Sequence, residues 1–207
     1  MSRKENKRKF QKAIERLSSI ASMTFWALML FSFEEIELAV VTLLCAIIHE
    51  LGHVIFIALM GQKFNLRGVA NGFRIKSNHI RSYDEEIMIY LSGPIANIFC
   101  SILFLAFSIL ISSRFEILAV INLATGLSNL VPIKGYDGYG ALYAIIKKRG
   151  EWETAQELLN AFSSALILSL CILSLYLIDR YDGGYWIFAV FFVSMVKEIK
   201  IALDKHF

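Results

Sequence analysis

The sequence predicts an all-α polytopic membrane protein with about six transmembrane helices and a small β-rich cytoplasmic loop after the second span. Composition is the first reason: of the 207 residues, 57% are hydrophobic and 19% are charged, whereas soluble domains are about 45–50% apolar. Distribution is the second reason. The apolar residues gather in runs, and a helix of about 17–25 apolar residues crosses a bilayer.

The apolar runs follow one another along the chain. Three of them are long enough to span by themselves: Leu38–Met60, Ile87–Ser113 and Leu158–Ile178. Three shorter runs become spans when their amphipathic flanks are included: Ile20–Phe33, Ile117–Ile133 and Tyr185–Val196. The first run follows a basic start and lacks a small-residue cleavage site, so we interpret it as a signal anchor rather than a cleaved signal peptide.

Lysine and arginine are abundant in every second connection, which predicts the orientation in the membrane. The first 16 residues hold seven of them, and the loop Gly61–Glu86 holds five, whereas the "EEIE" connection between these segments holds none. Cytoplasmic loops carry the excess of positive charge, so both termini are expected in the cytoplasm. The net charge is only +3, and a basic tail of this kind does not indicate nucleic-acid binding.

The loop Gly61–Glu86 differs in texture from the rest of the chain. Its segment "NGFRIKSNHIRS" alternates polar and apolar residues and contains glycine and asparagine breaks, which is typical of short strands. We expect a hairpin here, whose free edge would be able to pair with an extended peptide. A plain polar connector is the alternative.

The motif "HELGH" lies midway along the run Leu38–Met60. Residues four apart share a helix face, so His49 and His53 can aim their imidazoles at one point, and neutral imidazole is a good zinc ligand. Glu50 is one step round the helix, where it can act as general base on a water at that point. An ionisable group at the centre of a membrane helix costs about 2.5–3.5 kcal/mol, and such groups mark function. An ordinary helix with exposed polar residues is the weaker interpretation.

A catalytic zinc site needs a third protein ligand, and Asp137 is the best candidate. In "SNLVPIKGYDGYGAL" an apolar run is interrupted by Pro132 and Gly135. Broken backbone at membrane depth is tolerated where it lines a cavity, and here it would deliver a carboxylate. The other carboxylates considered sit at the outer membrane edge or in an outer loop: Glu34, Glu35, Glu37, Glu116, Asp179 and Asp182.

These motifs resemble those of the site-2 protease family of intramembrane zinc metalloproteases. "HELGH" is followed by "YLSGPIAN" (Tyr90–Asn97), similar to the family's small-residue segment, and by "NLVPIKGYDG" from Asn129, similar to its second signature. The resemblance covers Leu38–Leu142, the family's catalytic core. The layout is most similar to the bacterial stage IV sporulation protein FB-like subgroup. Members of that subgroup often carry a C-terminal nucleotide-sensing domain, which we do not expect in a chain that ends at Phe207.

The resemblance implies a role for each motif residue. His49, His53 and Asp137 would bind Zn²⁺, Glu50 would be the catalytic base, and Asn129 would bind substrate. The implied activity is that of a zinc metalloendopeptidase of the site-2 type. Its partners would be the lipid bilayer and a membrane-associated protein substrate, such as a transcription-factor precursor or an anti-sigma factor.

The resemblance also implies a single intramembrane metalloprotease domain over residues 1–207. Within it we expect a basic cytoplasmic N-terminus at 1–19, a catalytic core of three spans at 38–142, and two C-terminal spans with a tail at 158–207. Between that core and the fifth span, we interpret Lys147–Leu159 as a short cytoplasmic helix.

Two other function classes remain open. A metal-ion transporter would also place histidine and aspartate in the membrane, but transporters often show internal repeats, and none is obvious here. A catalytically inactive membrane regulator would not require Glu50, which is present.

Overall fold

The computed structural model describes residues 31–32, 35–61, 64–69, 72–77, 82–150, 152–181 and 185–204. Its helices are α1 (Ile36–Leu59), α2 (Tyr83–Leu110), α3 (Phe115–Leu130), α4 (Asp137–Arg149), α5 (Trp152–Tyr181) and α6 (Tyr185–Asp204), and its strands are β1 (Phe64–Val69) and β2 (Gly72–Ser77). Phe31 and Ser32 are also helical. Most of the expected span Ile20–Phe33 lies outside the described residues.

Among the described helices, α1, α2 and α5 are long and apolar enough to cross a membrane, and α3 is a shorter apolar helix. Their outer faces carry large apolar side chains that the protein leaves exposed, such as Leu59 at 80% and Ile109 at 77% exposure. A helix that is apolar all round is suited to lipid rather than water. These features match the membrane setting that the composition predicts.

α2 begins four residues before the apolar run that predicted it. Ser82 precedes the helix, and its side chain accepts a hydrogen bond from the Glu85 backbone N–H. Asp84, Glu85 and Glu86 fill the first turn, where negative charge is favoured by the exposed N–H groups. The cap and the acidic turn therefore extend the helix beyond its apolar part.

A two-stranded antiparallel hairpin connects α1 to α2. β1 and β2 pair from Phe64 opposite Ser77 to Val69 opposite Gly72. The hairpin packs near α1.

Small residues bring α1 and α2 together. A methyl group added at Gly52 would lie 2.7 Å from both the Ala96 Cβ and the Ser92 carbonyl oxygen. Small residues let helix backbones approach closely, which is how helices associate in lipid. α2 packs in turn against α3 and α4 as well as α1, so it is the central helix around which the others are arranged.

A tight turn joins α2 to α3. The rings of Phe104 and Phe107 on α2 pack against Phe115 at the start of α3. Deeper in the same interface, the Ser101 hydroxyl donates to the Ala119 carbonyl at 2.7 Å. These contacts hold the two helices side by side.

The break between α3 and α4 falls at Val131–Tyr136, where the sequence predicts broken backbone. Gly135 has a positive φ of 104°, a conformation that is costly for a residue with a Cβ. Gly138 packs directly on the Leu130 carbonyl group, so the first turn of α4 folds back against the end of α3. The break is also tied to α5, because the Ser163 hydroxyl accepts from the Lys134 N–H at 2.8 Å.

Lys147–Leu159 is divided between two helices rather than forming one short helix. α4 ends at Arg149, Gly150 follows with a φ of 79°, and α5 begins at Trp152. A glycine in the left-handed conformation is a common helix stop. The expectation of a single helix over Lys147–Leu159 was therefore wrong.

Candidate metal site

His49, His53 and Asp137 converge on one point. The two histidines lie one turn apart on α1, and Asp137 is the first residue of α4. His49 Nε2 lies 2.8 Å and His53 Nε2 3.2 Å from the same Asp137 oxygen, Oδ2. The two Nε2 atoms are 3.3 Å apart, so the three atoms form a small triangle.

The triangle fits a tetrahedral metal ion. Zinc bonds of about 2.0–2.1 Å in a tetrahedral arrangement place neighbouring ligand atoms about 3.3–3.4 Å apart. Two of the observed separations, 3.2 and 3.3 Å, are close to this value, and the third, 2.8 Å, is shorter. Two imidazoles and a carboxylate are also a ligand set that zinc takes in hydrolytic enzymes. Among the described residues, His49, His53 and Asp137 form a cluster whose ligand atoms lie close enough together to hold a metal ion.

The second ring nitrogen of each histidine has an acceptor. His49 Nδ1 lies 2.8 Å from Asn97 Oδ1, and His53 Nδ1 lies 2.7 Å from the Ile89 carbonyl oxygen and 3.2 Å from Ser92 Oγ. Donation from Nδ1 leaves the Nε2 lone pair facing the shared point, as a metal-binding histidine requires. Both acceptors come from α2, so the packing of α2 on α1 orients both imidazoles.

Gly93 makes this close packing possible. A methyl group at this position would lie 2.7 Å from His53 Cε1 and 2.9 Å from His49 Cε1. Any side chain there would collide with the two rings. The glycine is therefore part of the wall of the site.

Glu50 lies beside the triangle without joining it. Its carboxylate is partly buried and interacts electrostatically with His53, His49 and Asp137. These interactions show that Glu50 lies near the three converging side chains. Its catalytic role stays a prediction.

Asn129 has a local contact. It sits near the end of α3, and its amide donates to the Thr125 carbonyl at 3.0 Å. Its predicted role in substrate binding is untested.

Asn97, Ser92 and Asn122 had no role assigned from the sequence. Asn97 and Ser92 lie within the quoted "YLSGPIAN" segment, and Asn122 lies in an apolar run. A polar amide in such a run is the signal that would have singled out Asn122, because buried polar groups in lipid must find partners.

Comparisons with known proteins bear on the whole chain. No family model matches the sequence. The chain is 25% identical over 164 residues to Stage IV sporulation protein FB of Bacillus subtilis (strain 168). That match covers 76% of this chain and 57% of the relative.

The fold is similar to that of a solved membrane enzyme, the Site-2 Protease from Methanocaldococcus jannaschii. The TM-score is 0.63, and the match covers 89% of this chain and 87% of that one, at 19% identity. An identity this low shows a shared fold. The chain is therefore similar in sequence to a sporulation protein and shares its fold with a solved site-2 protease, and its long apolar helices are those of an integral membrane protein.

Proposed function

We propose that this protein is an intramembrane zinc metalloprotease that hydrolyses a peptide bond within or next to a transmembrane segment of a membrane-associated substrate. The observation that carries the proposal is the triangle of His49 Nε2, His53 Nε2 and Asp137 Oδ2, with sides of 2.8, 3.2 and 3.3 Å. It lies near the middle of α1, an apolar helix long enough to span the bilayer. The family resemblance supports the same activity.

His49, His53 and Asp137 would hold the zinc ion. Bound zinc supplies Lewis-acid activation of water and of the peptide carbonyl. Glu50 takes the proton of the attacking water and passes it to the leaving amine. Asn129, near the break that delivers Asp137, is assigned to substrate or to the developing oxyanion.

The substrate has to be unwound before it can be cut. The carbonyl groups of a helical segment are already hydrogen-bonded within the helix, and lipid offers no replacement partners. We place the unwound segment beside the broken backbone between α3 and α4, because this break leads directly into Asp137. We propose a transcription-factor precursor or an anti-sigma factor as the substrate, cut in regulated intramembrane proteolysis.

We further propose about six spans in a single intramembrane domain, with both termini and the β-rich loop in the cytoplasm of a bacterial cell. The alternation of positively charged connections supports this orientation. In this proposal the run Ile20–Phe33 forms the first span. The other five spans are α1, α2, α3, α5 and α6.

The substitution Glu50→Gln tests the function. Wild-type and variant proteins are reconstituted in liposomes with membrane proteins from the host, and new peptide termini are identified by mass spectrometry. Loss of the general base should lower cleavage by about 10²–10⁴-fold, while the bound zinc, measured per protein, should be unchanged. Glu116→Gln is the matched control, since Glu116 is an exposed glutamate in the first turn of α3.

Two outcomes would contradict the proposal. Wild-type cleavage by Glu50→Gln would remove Glu50 as the base. Zinc uptake into the liposomes by both proteins, with no new peptide termini from either, would favour the transporter instead.

A further inference from the structure

A chain of hydrogen bonds leads away from the metal site through two buried asparagines. His49 Nδ1 is 2.8 Å from Asn97 Oδ1, and Asn97 Nδ2 donates to Asn122 Oδ1 at 2.9 Å. Both asparagines are fully buried. These hydrogen bonds run from α1 through α2 to α3. Residues on three helices therefore bear on the orientation of the His49 ring.

Backbone carbonyl groups fix the direction of every bond in this chain. Asn97 Nδ2 also donates to the Cys45 carbonyl, and Asn122 Nδ2 donates to the Leu118 carbonyl, each at 2.9 Å. A carbonyl oxygen accepts and never donates. Turning either amide over would therefore place oxygen against oxygen in a buried site.

The direction of the chain then determines the tautomer of His49. With its nitrogen committed to Cys45 and Asn122, Asn97 presents an oxygen to the imidazole. An amide oxygen only accepts, so His49 Nδ1 must carry the hydrogen. In the neutral ring the Nε2 lone pair then points at the shared point, where a bound cation would stand between it and the Asp137 oxygen 2.8 Å away.

We propose that Asn97 and Asn122 are positioning residues that hold His49 in the Nδ1–H tautomer, and so prepare its Nε2 to bind the metal. This proposal rests on the proposed metal site. It assigns to Asn122, on α3, an effect on a ligand carried by α1, although Asn122 touches neither the ligands nor the shared point directly.

His53 is held differently, which makes the proposal specific. Its Nδ1 faces the backbone carbonyl of Ile89 at 2.7 Å, an acceptor that no substitution removes. The orientation of His49 depends on side chains, and that of His53 depends mainly on backbone. Substitutions in the asparagine pair should therefore affect His49 and spare His53.

Packing between helices is the alternative role for two buried asparagines, and Ser101 offers a control for it. The Ser101 hydroxyl donates to the Ala119 carbonyl in the same interface between α2 and α3, and it is buried. Among the described residues, no hydrogen bond joins Ser101 to His49. Ser101→Ala therefore removes one hydrogen bond between these helices and leaves the asparagine pair intact.

The experiment compares wild type, Asn122→Leu, Asn97→Leu and Ser101→Ala as metal-free proteins in detergent micelles. For the tautomer measurement each of the four also carries Asp137→Ala, because the Asp137 carboxylate lies 2.8 Å from His49 Nε2 and would accept its hydrogen when no metal is bound. Nitrogen-15 labelling of histidine reports which ring nitrogen carries the hydrogen at a pH where the rings are neutral, and His49→Gln identifies the His49 signals. Wild type and Ser101→Ala should show His49 with hydrogen on Nδ1. Asn97→Leu and Asn122→Leu should show a mixture of tautomers at His49 and no change at His53.

Zinc affinity is the second measurement, by competition with a chelator. Loss of a partner that orients a metal-binding histidine weakens binding by about 10–100-fold, so Asn97→Leu should fall in this range. Asn122→Leu should show a smaller loss, and Ser101→Ala should stay within about twofold.

The possible failures are distinguishable. An Nε2–H tautomer at His49 in the wild type overturns the positioning proposal even if a variant does not fold. A tautomer and an affinity in Asn122→Leu that match those of Ser101→Ala remove Asn122 from it. If wild-type protein fails to bind zinc, the proposed metal site fails, whereas the tautomer of the metal-free protein still decides the role of the asparagines.

Discussion

Gly93 shows how much the site owes to a residue without a side chain. The motif "HELGH" supplies two candidate ligands, but their rings need room, and α2 provides it by approaching α1 through glycine. The same helix provides the acceptors for both Nδ1 atoms, at Asn97 and Ile89. α1 thus carries the two candidate histidine ligands, whereas residues of α2 orient their rings.

Gly93→Ala should abolish or strongly weaken zinc binding. The new methyl group would overlap the rings of both histidines, and the rings would have to leave the orientation in which their Nε2 atoms meet Asp137. Zinc content per purified protein, measured by atomic absorption, checks this expectation. Ser108→Ala is the control, because Ser108 is a half-buried small residue on the same helix whose hydroxyl donates to the Leu105 carbonyl of that helix. Full zinc content in Gly93→Ala would contradict this expectation. It would mean that α1 and α2 make room for the methyl group without displacing the two histidine rings.

At the scale of elements, the break between α3 and α4 decides where Asp137 lies. Pro132 and Gly135 predicted a break from the sequence, and the structure places it at Val131–Tyr136. α4 itself was not predicted, because it is short and amphipathic and carries charge at its end. The bounds of α1 followed the apolar run to within two residues, since both ends of the run lie close to the ends of the helix.

Gly135→Ala should weaken zinc binding, and Gly150→Ala should not. Both glycines have positive φ, 104° and 79°, so alanine costs about 1–2 kcal/mol of strain at either position. Gly135 lies two residues before Asp137, and relief of strain there would displace the carboxylate, with up to about a tenfold loss of zinc affinity. Gly150 lies at the opposite end of α4 from Asp137, so strain there should not displace the carboxylate.

Thermal unfolding and zinc affinity, measured on both variants, separate the two effects. The two substitutions should lower the unfolding temperature by similar amounts. An equal loss of zinc affinity in both would mean that the turn does not position Asp137 specifically.

At the scale of the whole molecule, α2 packs against α1, α3 and α4, and α5 packs against α4 and α6. The hydrogen bonds and ligand contacts of the site join α1, α2, α3 and α4. α5 supports this group from outside, through Ser163 at the break and through Asn160, which accepts from the Tyr139 hydroxyl at 2.6 Å. The orientation of the assembly in the membrane is a prediction from the positively charged connections and not from these contacts.

Reporter fusions test the proposed orientation. Green fluorescent protein fused after Phe207 should fluoresce, because it folds in the cytoplasm. Alkaline phosphatase fused after Ser113, in the turn between α2 and α3, should be active, because that turn is expected outside. The reverse pattern, with an inactive phosphatase at Ser113, would overturn the assignment made from the positively charged connections.

The sequence by itself determined the membrane setting and the types of ligand. Apolar runs dictate spans, and a spacing of four residues on a helix places His49 and His53 on one face. These are local properties, because they depend on neighbours within a few turns. They can therefore be predicted from the sequence without knowing how the helices pack.

Only the tertiary structure decided how the site is assembled. It brought Asp137 to His53 across 84 positions of the chain and Asn97 to His49 across 48, and it placed Asn122 behind Asn97. No periodicity in the sequence encodes such pairs, because each depends on how closely two helices approach and on which small residues allow it. The physical reason is that ligand type is a property of side chains, whereas ligand geometry is a property of packing.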